Sequence, residues 1–127
     1  MPTREAHIIR ARQNEAFART LNLEDSLKVD WAITILFYSA LHYVDAYFAI
    51  KPLHPPNHEQ RDAAIARNPS LDPIWPDYRR LKDRSEAARY EIANFHKSDF
   101  AAIDQKFLKI KAHLISKPKF LGLGNEN

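Results

Sequence analysis

The chain has 127 residues, enough for one domain and too few for two of ordinary size. Hydrophobic residues make up 45% and charged residues 28%, and the formal net charge of +3 with a pI near 9.2 allows an anionic partner without requiring one. The absence of cysteine excludes disulfides, zinc ribbons and thiol catalysis, and the 2 glycines, Gly122 and Gly124, lie near the C-terminus, which excludes glycine-rich phosphate loops.

The pattern is helical throughout. The opening Met1-Pro2-Thr3-Arg4-Glu5 is polar and helix-like rather than a leader, so a cytoplasmic location is expected. A first helix is predicted from Thr3 to about Thr20, with Ala6, Ile9, Gln13, Ala16, Phe17 and Leu21 at steps of three and four on its inner face. A polar turn from Asn22 to Ser26 follows, in which Asp25 or Ser26 caps the next helix. That second helix, Leu27 to about Ile50, is apolar around most of its circumference, as expected of a helix surrounded by others. Its stretch from Trp31 to Ile50 is long enough to test against a membrane. It contains Ser39, His42 and Asp45, and a charge at the bilayer centre costs a few kcal/mol or more, so no membrane is expected. Asp30, Thr34, Tyr38, His42 and Asp45 advance by four, four, four and three and share one arc of the helix. That arc lines a groove, forms the exposed face, or closes into a buried polar network.

A stiff loop from Lys51 to Asn57 leads to a short helix that Asn57 and Gln60 open as a capping box and that runs to about Arg67. A second proline-punctuated loop holds Trp75 and Tyr78, either for stacking on a base or for stapling the loop to the core. The fourth helix begins near Pro76 or Asp77, with Tyr78, Leu81, Ser85, Ala88, Ile92 and Phe95 as its seam. Ser98 is expected to cap the last helix, whose seam is Phe100, Ile103, Phe107, Ile110 and Leu114. Lys117-Pro118 ends it, leaving residues 118–127 as a loose tail. Residues 1–117 thus read as an all-α antiparallel bundle of four long helices and one short helix. His54 and His58 are four apart, but Pro55 and Pro56 between them remove the helical geometry that a metal pair needs, so neither metal nor cofactor is implied. Arg79, Arg80, Lys82, Arg84 and Arg89, with six lysines between Lys97 and Lys119, form a phosphate-tracking surface or a solvated face.

Three strings carry a family resemblance: Phe37-Tyr38-Ser39-Ala40-Leu41-His42-Tyr43-Val44-Asp45-Ala46, His58-Glu59-Gln60-Arg61, and Tyr78-x-x-Leu81-x-x-Arg84-Ser85-Glu86-x-Ala88-Arg89-Tyr90. The chain resembles HEPN domains (higher eukaryotes and prokaryotes nucleotide-binding) over most of its length. The resemblance implies an α-helical, commonly dimeric protein. It is either a metal-independent RNase of a toxin or defence system or a non-catalytic partner of a small nucleotidyltransferase. Nuclease members carry an arginine followed, after about four to six residues, by a histidine, and Arg89 and His96 match with six between them. The position after the arginine, usually small and polar, is Tyr90 here.

The pair suits RNA chemistry. A histidine titrating near neutrality moves the proton of the 2′-hydroxyl, and a guanidinium stabilises the phosphoryl oxygens. On one unbroken helix, two turns would separate them by about 10.5 Å of rise, so the expectation requires a helix ending near Asn94 or a pair from a partner subunit. Tyr38, His42 and Asp45 in the groove, with His58, Arg61 and Arg84 from the family strings, are the expected binding residues. The functional expectation is RNA binding or cleavage by a homodimer. The alternatives are a helical partner for a nucleotidyltransferase, or a nucleotide-binding module beside His42 and Asp45.

Overall fold

A computed structural model describes residues 2–51, 53–91 and 95–122. Its five α-helices are α1 (Arg4–Ala18), α2 (Ser26–Ile50), α3 (His58–Arg67), α4 (Trp75–Tyr90) and α5 (Lys97–Ile115), and a single 3-10 turn, Asp72–Ile74, leads into α4. No strand occurs among the described residues. Local chemistry sets most of the starts. Thr3 accepts the Ala6 N–H at 3.0 Å, Asp25 accepts the Leu27 N–H at 3.0 Å, and Asn57 accepts the Gln60 N–H at 2.8 Å, each satisfying a donor that the helix leaves open. Pro76 enters α4 in its first turn, where its missing N–H costs nothing.

The centre of the fold is α2, which packs against α1, α4 and α5. Val29, Ile33, Leu36, Phe37, Ala40, Val44 and Phe48 along it are fully buried, and each larger side chain contributes on the order of 1.5–3 kcal/mol by leaving water. By length and composition Ser26–Ile50 could cross a membrane, but 72% of its apolar window is buried inside the fold. The seam of α5 holds at every expected position, since Phe100, Ile103, Phe107, Ile110 and Leu114 are all buried. Glu15 fastens α1 to this core by accepting from Lys111 at 2.9 Å and from the Tyr43 hydroxyl at 3.2 Å. Burial, reinforced by the Glu15 charge, pushes the Tyr43 hydroxyl up to about 12.

Four expectations need correction. The inner face of α1 is His7, Ile8, Ala11 and Ala18, while Ile9 and Phe17 are 57% and 56% exposed. Small Ala11 lets the helix approach closely enough for Ser39 Oγ, deep in α2, to donate to its carbonyl oxygen at 2.7 Å. The fourth helix stops at Tyr90, because Glu91 turns to extended backbone (φ −119°, ψ 156°). Ile92 therefore cannot continue the seam on α4 and lies outside the described residues, whereas Phe95 is buried in the connection beyond the helix. The cap of α5 is His96 rather than Ser98, with the Asp99 carboxylate accepting the His96 backbone N–H at 2.8 Å. Finally, the segment after Lys117 is not loose throughout. Phe120 is fully buried with its ring centroid 6.3 Å from that of Tyr43, and Arg4 donates to the Lys119 carbonyl at 2.6 Å. The expected tail beyond Gly122 lies outside the described residues.

Candidate functional site

The polar arc of α2 divides into two environments. Toward its C-terminal end the side chains satisfy one another. Asp45 and Arg61 form a buried two-pronged ion pair, with Nε and Nη2 donating to the two carboxylate oxygens at 2.8 and 3.0 Å. One turn earlier on α2, half-buried His42 meets buried His7 of α1, Nδ1 to Nδ1, at 3.1 Å. One ring donates and the other accepts, which requires opposite tautomers. Burial pushes both pKa values down; the nearby Asp45 carboxylate opposes this, and the neighbouring cation Arg61 adds to it. The tighter polar network of the expectations is what occupies this end.

Toward the N-terminal end of α2 the polar groups are left open. An open cleft of about 390 Å³ lies between α2 and the last turn of α4, lined by Leu27, Asp30, Trp31, Thr34, Ala88, Arg89 and Tyr90. The Arg89 guanidinium sits 5.5 Å from the Tyr38 ring centroid and 5.1 Å from that of Tyr90, and it donates to Ser85 Oγ at 3.1 Å. No carboxylate pairs with it among the described residues. Two stacked rings and one hydroxyl hold the cation in place without neutralising it. Across the cleft, Asp30 receives the Phe95 backbone N–H, but its Oδ1 finds no donor among the described residues, and burial raises its pKa. Trp31 is 56% exposed and Tyr90 79% exposed.

His96 follows directly on Phe95, so the residue anchored by Asp30 at the cleft wall adjoins the candidate proton-transfer histidine. His96 is exposed at the start of α5, and Arg89 stands in the last turn of α4, on separate helices. The two-turn separation of an unbroken helix therefore does not apply to them. His58 lies with its ring 6.0 Å from that of Phe37; partial burial lowers its pKa, and the cations Arg61, Lys82 and Arg89 add to this. Arg84 is turned away from the cleft and lies over the Phe95 ring at 5.5 Å. Trp75 stacks on buried Tyr78 at 6.3 Å, which staples the proline loop to the core. Of the lysines on the last helix, Lys97, Lys106 and Lys111 pair with Glu24, Asp77 and Glu15, so the basic face is partly neutralised. No metal-ligating cluster occurs among the described residues.

The structure thus gathers Tyr38 and Arg89 at one place and His42, Asp45 and Arg61 at another. Sequence reasoning passed over His7 and did not set Trp31, Leu27 and Asp30 opposite Arg89. Asp30 and Trp31 stand on neighbouring arcs of α2, so only the position of α4 brings them to one opening. The chain matches no protein-family model, no curated protein and no solved structure.

Proposed function

We propose that this chain is a HEPN-like protein that binds single-stranded RNA at the Arg89 cleft and cleaves it without a metal. The observation that carries the reading is a fixed guanidinium with no anionic partner, held between two aromatic rings at an open cleft. A phosphodiester supplies the missing charge, and bases supply surfaces for the exposed rings. In the reaction the 2′-oxygen bonds to phosphorus as the P–O5′ bond breaks. His96 accepts the hydroxyl proton or delivers one to the leaving oxygen, and Arg89 stabilises the crowded phosphoryl group. The chain works as a homodimer in this reading, and exposed Ile9 and Phe17 on α1 offer an apolar surface to a second copy. The region beside His42 and Asp45 supports a nucleotide site less well, because both side chains are already engaged.

The test is direct. Purified protein should cleave single-stranded RNA in EDTA and leave a 2′,3′-cyclic phosphate. His96→Ala should slow cleavage by about 10²-fold or more, and Arg89→Lys should be comparably damaging because an ammonium lacks the paired planar donors. Varied RNAs left intact by a folded protein would overturn the cleavage reading. A non-catalytic helical partner, for example of a nucleotidyltransferase, would then account better for the exposed apolar residues.

A further inference from the structure

We infer that the cleft between α2 and α4 is a base-selective pocket, taking an unstacked nucleobase with an exocyclic amino group and rejecting uracil. The inference rests on the RNA reading above and adds a specificity to it. Three observations point the same way. The cleft volume of about 390 Å³ is in the range of small-ligand sites, and it combines apolar walls with few polar groups. Trp31 on α2 and Tyr90 on α4 both expose ring surface at the opening, 56% and 79% respectively. The Asp30 carboxylate lines the cleft with Oδ1 lacking a donor, an arrangement that folded proteins seldom leave without a reason.

Those groups together specify a ligand chemistry. A flat ring stacks on Trp31 or Tyr90 whatever its identity, so stacking alone gives affinity and not selection. Selection comes from Asp30, which in its charged form only accepts hydrogen bonds. The amino groups of cytosine, adenine and guanine can donate to Oδ1. At the position of the cytosine amine, uracil carries a carbonyl oxygen, which would set acceptor against acceptor. The phosphate flanking the bound base meets the Arg89 guanidinium, whose Nε also has no partner. Leu27 and Ala88 close the walls without adding a competing polar group.

Cytidine and uridine oligonucleotides of equal length give the cleanest comparison, because the two bases differ at that edge. Made with 2′-O-methyl riboses, they cannot undergo internal attack. Binding is read by anisotropy and by the fluorescence of Trp31, with Trp75→Phe removing the only other tryptophan. The cytidine oligomer is expected to bind about tenfold more tightly and to quench Trp31. Asp30→Asn, whose amide can donate or accept, should remove the preference while leaving the melting curve in place. Trp31→Leu should weaken both oligomers by about tenfold. Equal binding of the two oligomers, a preference that survives Asp30→Asn, or saturation without any change at Trp31 would overturn the pocket and leave the RNA reading standing. No binding of either oligomer would overturn both.

Discussion

The two ends of α2 carry similar residues to opposite effect. Near its C-terminal end a carboxylate and two histidines are enclosed and matched: Asp45 with Arg61, His42 with His7. Near its N-terminal end Asp30 keeps an oxygen without a donor and faces a cleft that also holds an uncompensated Arg89. Residue type alone does not separate the two. What separates them is the cover, since α1 and α3 bring His7 and Arg61 over one end, while the last turn of α4 leaves an opening beside the other. Polar groups that satisfy one another hold a fold together, and polar groups left open await a ligand.

The largest effect expected from this contrast is at Asp45. Asp45→Ala leaves the Arg61 guanidinium buried without a counter-charge, and breaking a buried pair in this way costs about 3–5 kcal/mol. Urea denaturation of the two proteins would show it, with Asp45→Leu combined with Arg61→Met recovering much of the loss. Arg89→Ala, by contrast, removes only ring stacking and one hydroxyl contact and should cost about 1 kcal/mol. Equal losses at Asp45 and Arg89 would erase the distinction between the two ends.

That distinction was only half legible in the sequence. The long apolar run of α2, the caps at Asp25 and Asn57, and the α5 seam from Phe100 to Leu114 follow from periodicity and capping chemistry, and these the fold reproduces. The inner face of α1 did not follow. Ile9 and Phe17 outweigh Ala11 and Ala18 on any hydrophobic count, yet close packing on α2 selects the small residues. The end of α4 was hidden for another reason: Phe95 keeps the heptad spacing although it lies past the helix. At the site, the spacing on α2 grouped Tyr38, His42 and Asp45 on one arc, but periodicity within one helix cannot say which part of an arc its neighbours cover. His7 and Arg61 do that covering across 35 and 16 positions of sequence.

Acid should act mainly on the closed end. Burial holds His7 and His42 below the ordinary value of 6.5, so the folded protein binds fewer protons than the unfolded chain as the pH falls past that value. The stability that neutral imidazoles confer is complete above about 6.5 and is lost as pH falls toward their lowered folded values. His58, also lowered by burial, adds in the same direction. A second proton on the pair sets N–H against N–H at the 3.1 Å contact, loosening α1 from α2. The groups around the pair are Asp45, which resists this, and Arg61, Arg10 and His54, which favour it. The melting temperature should therefore fall between pH 7.5 and 5.5, and His42→Leu should make the slope shallower. A flat profile over that interval would mean that the histidines titrate alike in both states.

The smallest effect is the most diagnostic, because its sign should reverse between the ends. Asp30 is a carboxylate whose pKa burial raises above 3.8, so its charged form is held at a cost at neutral pH. Asp30→Asn keeps the shape and can still accept the Phe95 N–H, while removing the charge that burial disfavours. It should leave stability unchanged or raise it by a few tenths of a kcal/mol. Asp45→Asn is the same chemical change one helix and four turns away, but it deprives Arg61 of its counter-ion and should lower stability. Thermal melts of the two variants at pH 7 decide the matter. Opposite signs identify Asp30 as a group kept at the expense of the fold, which is how a binding residue behaves. A clear loss at both positions would instead make Asp30 a structural anchor for Phe95, and the cleft beside it a consequence of packing.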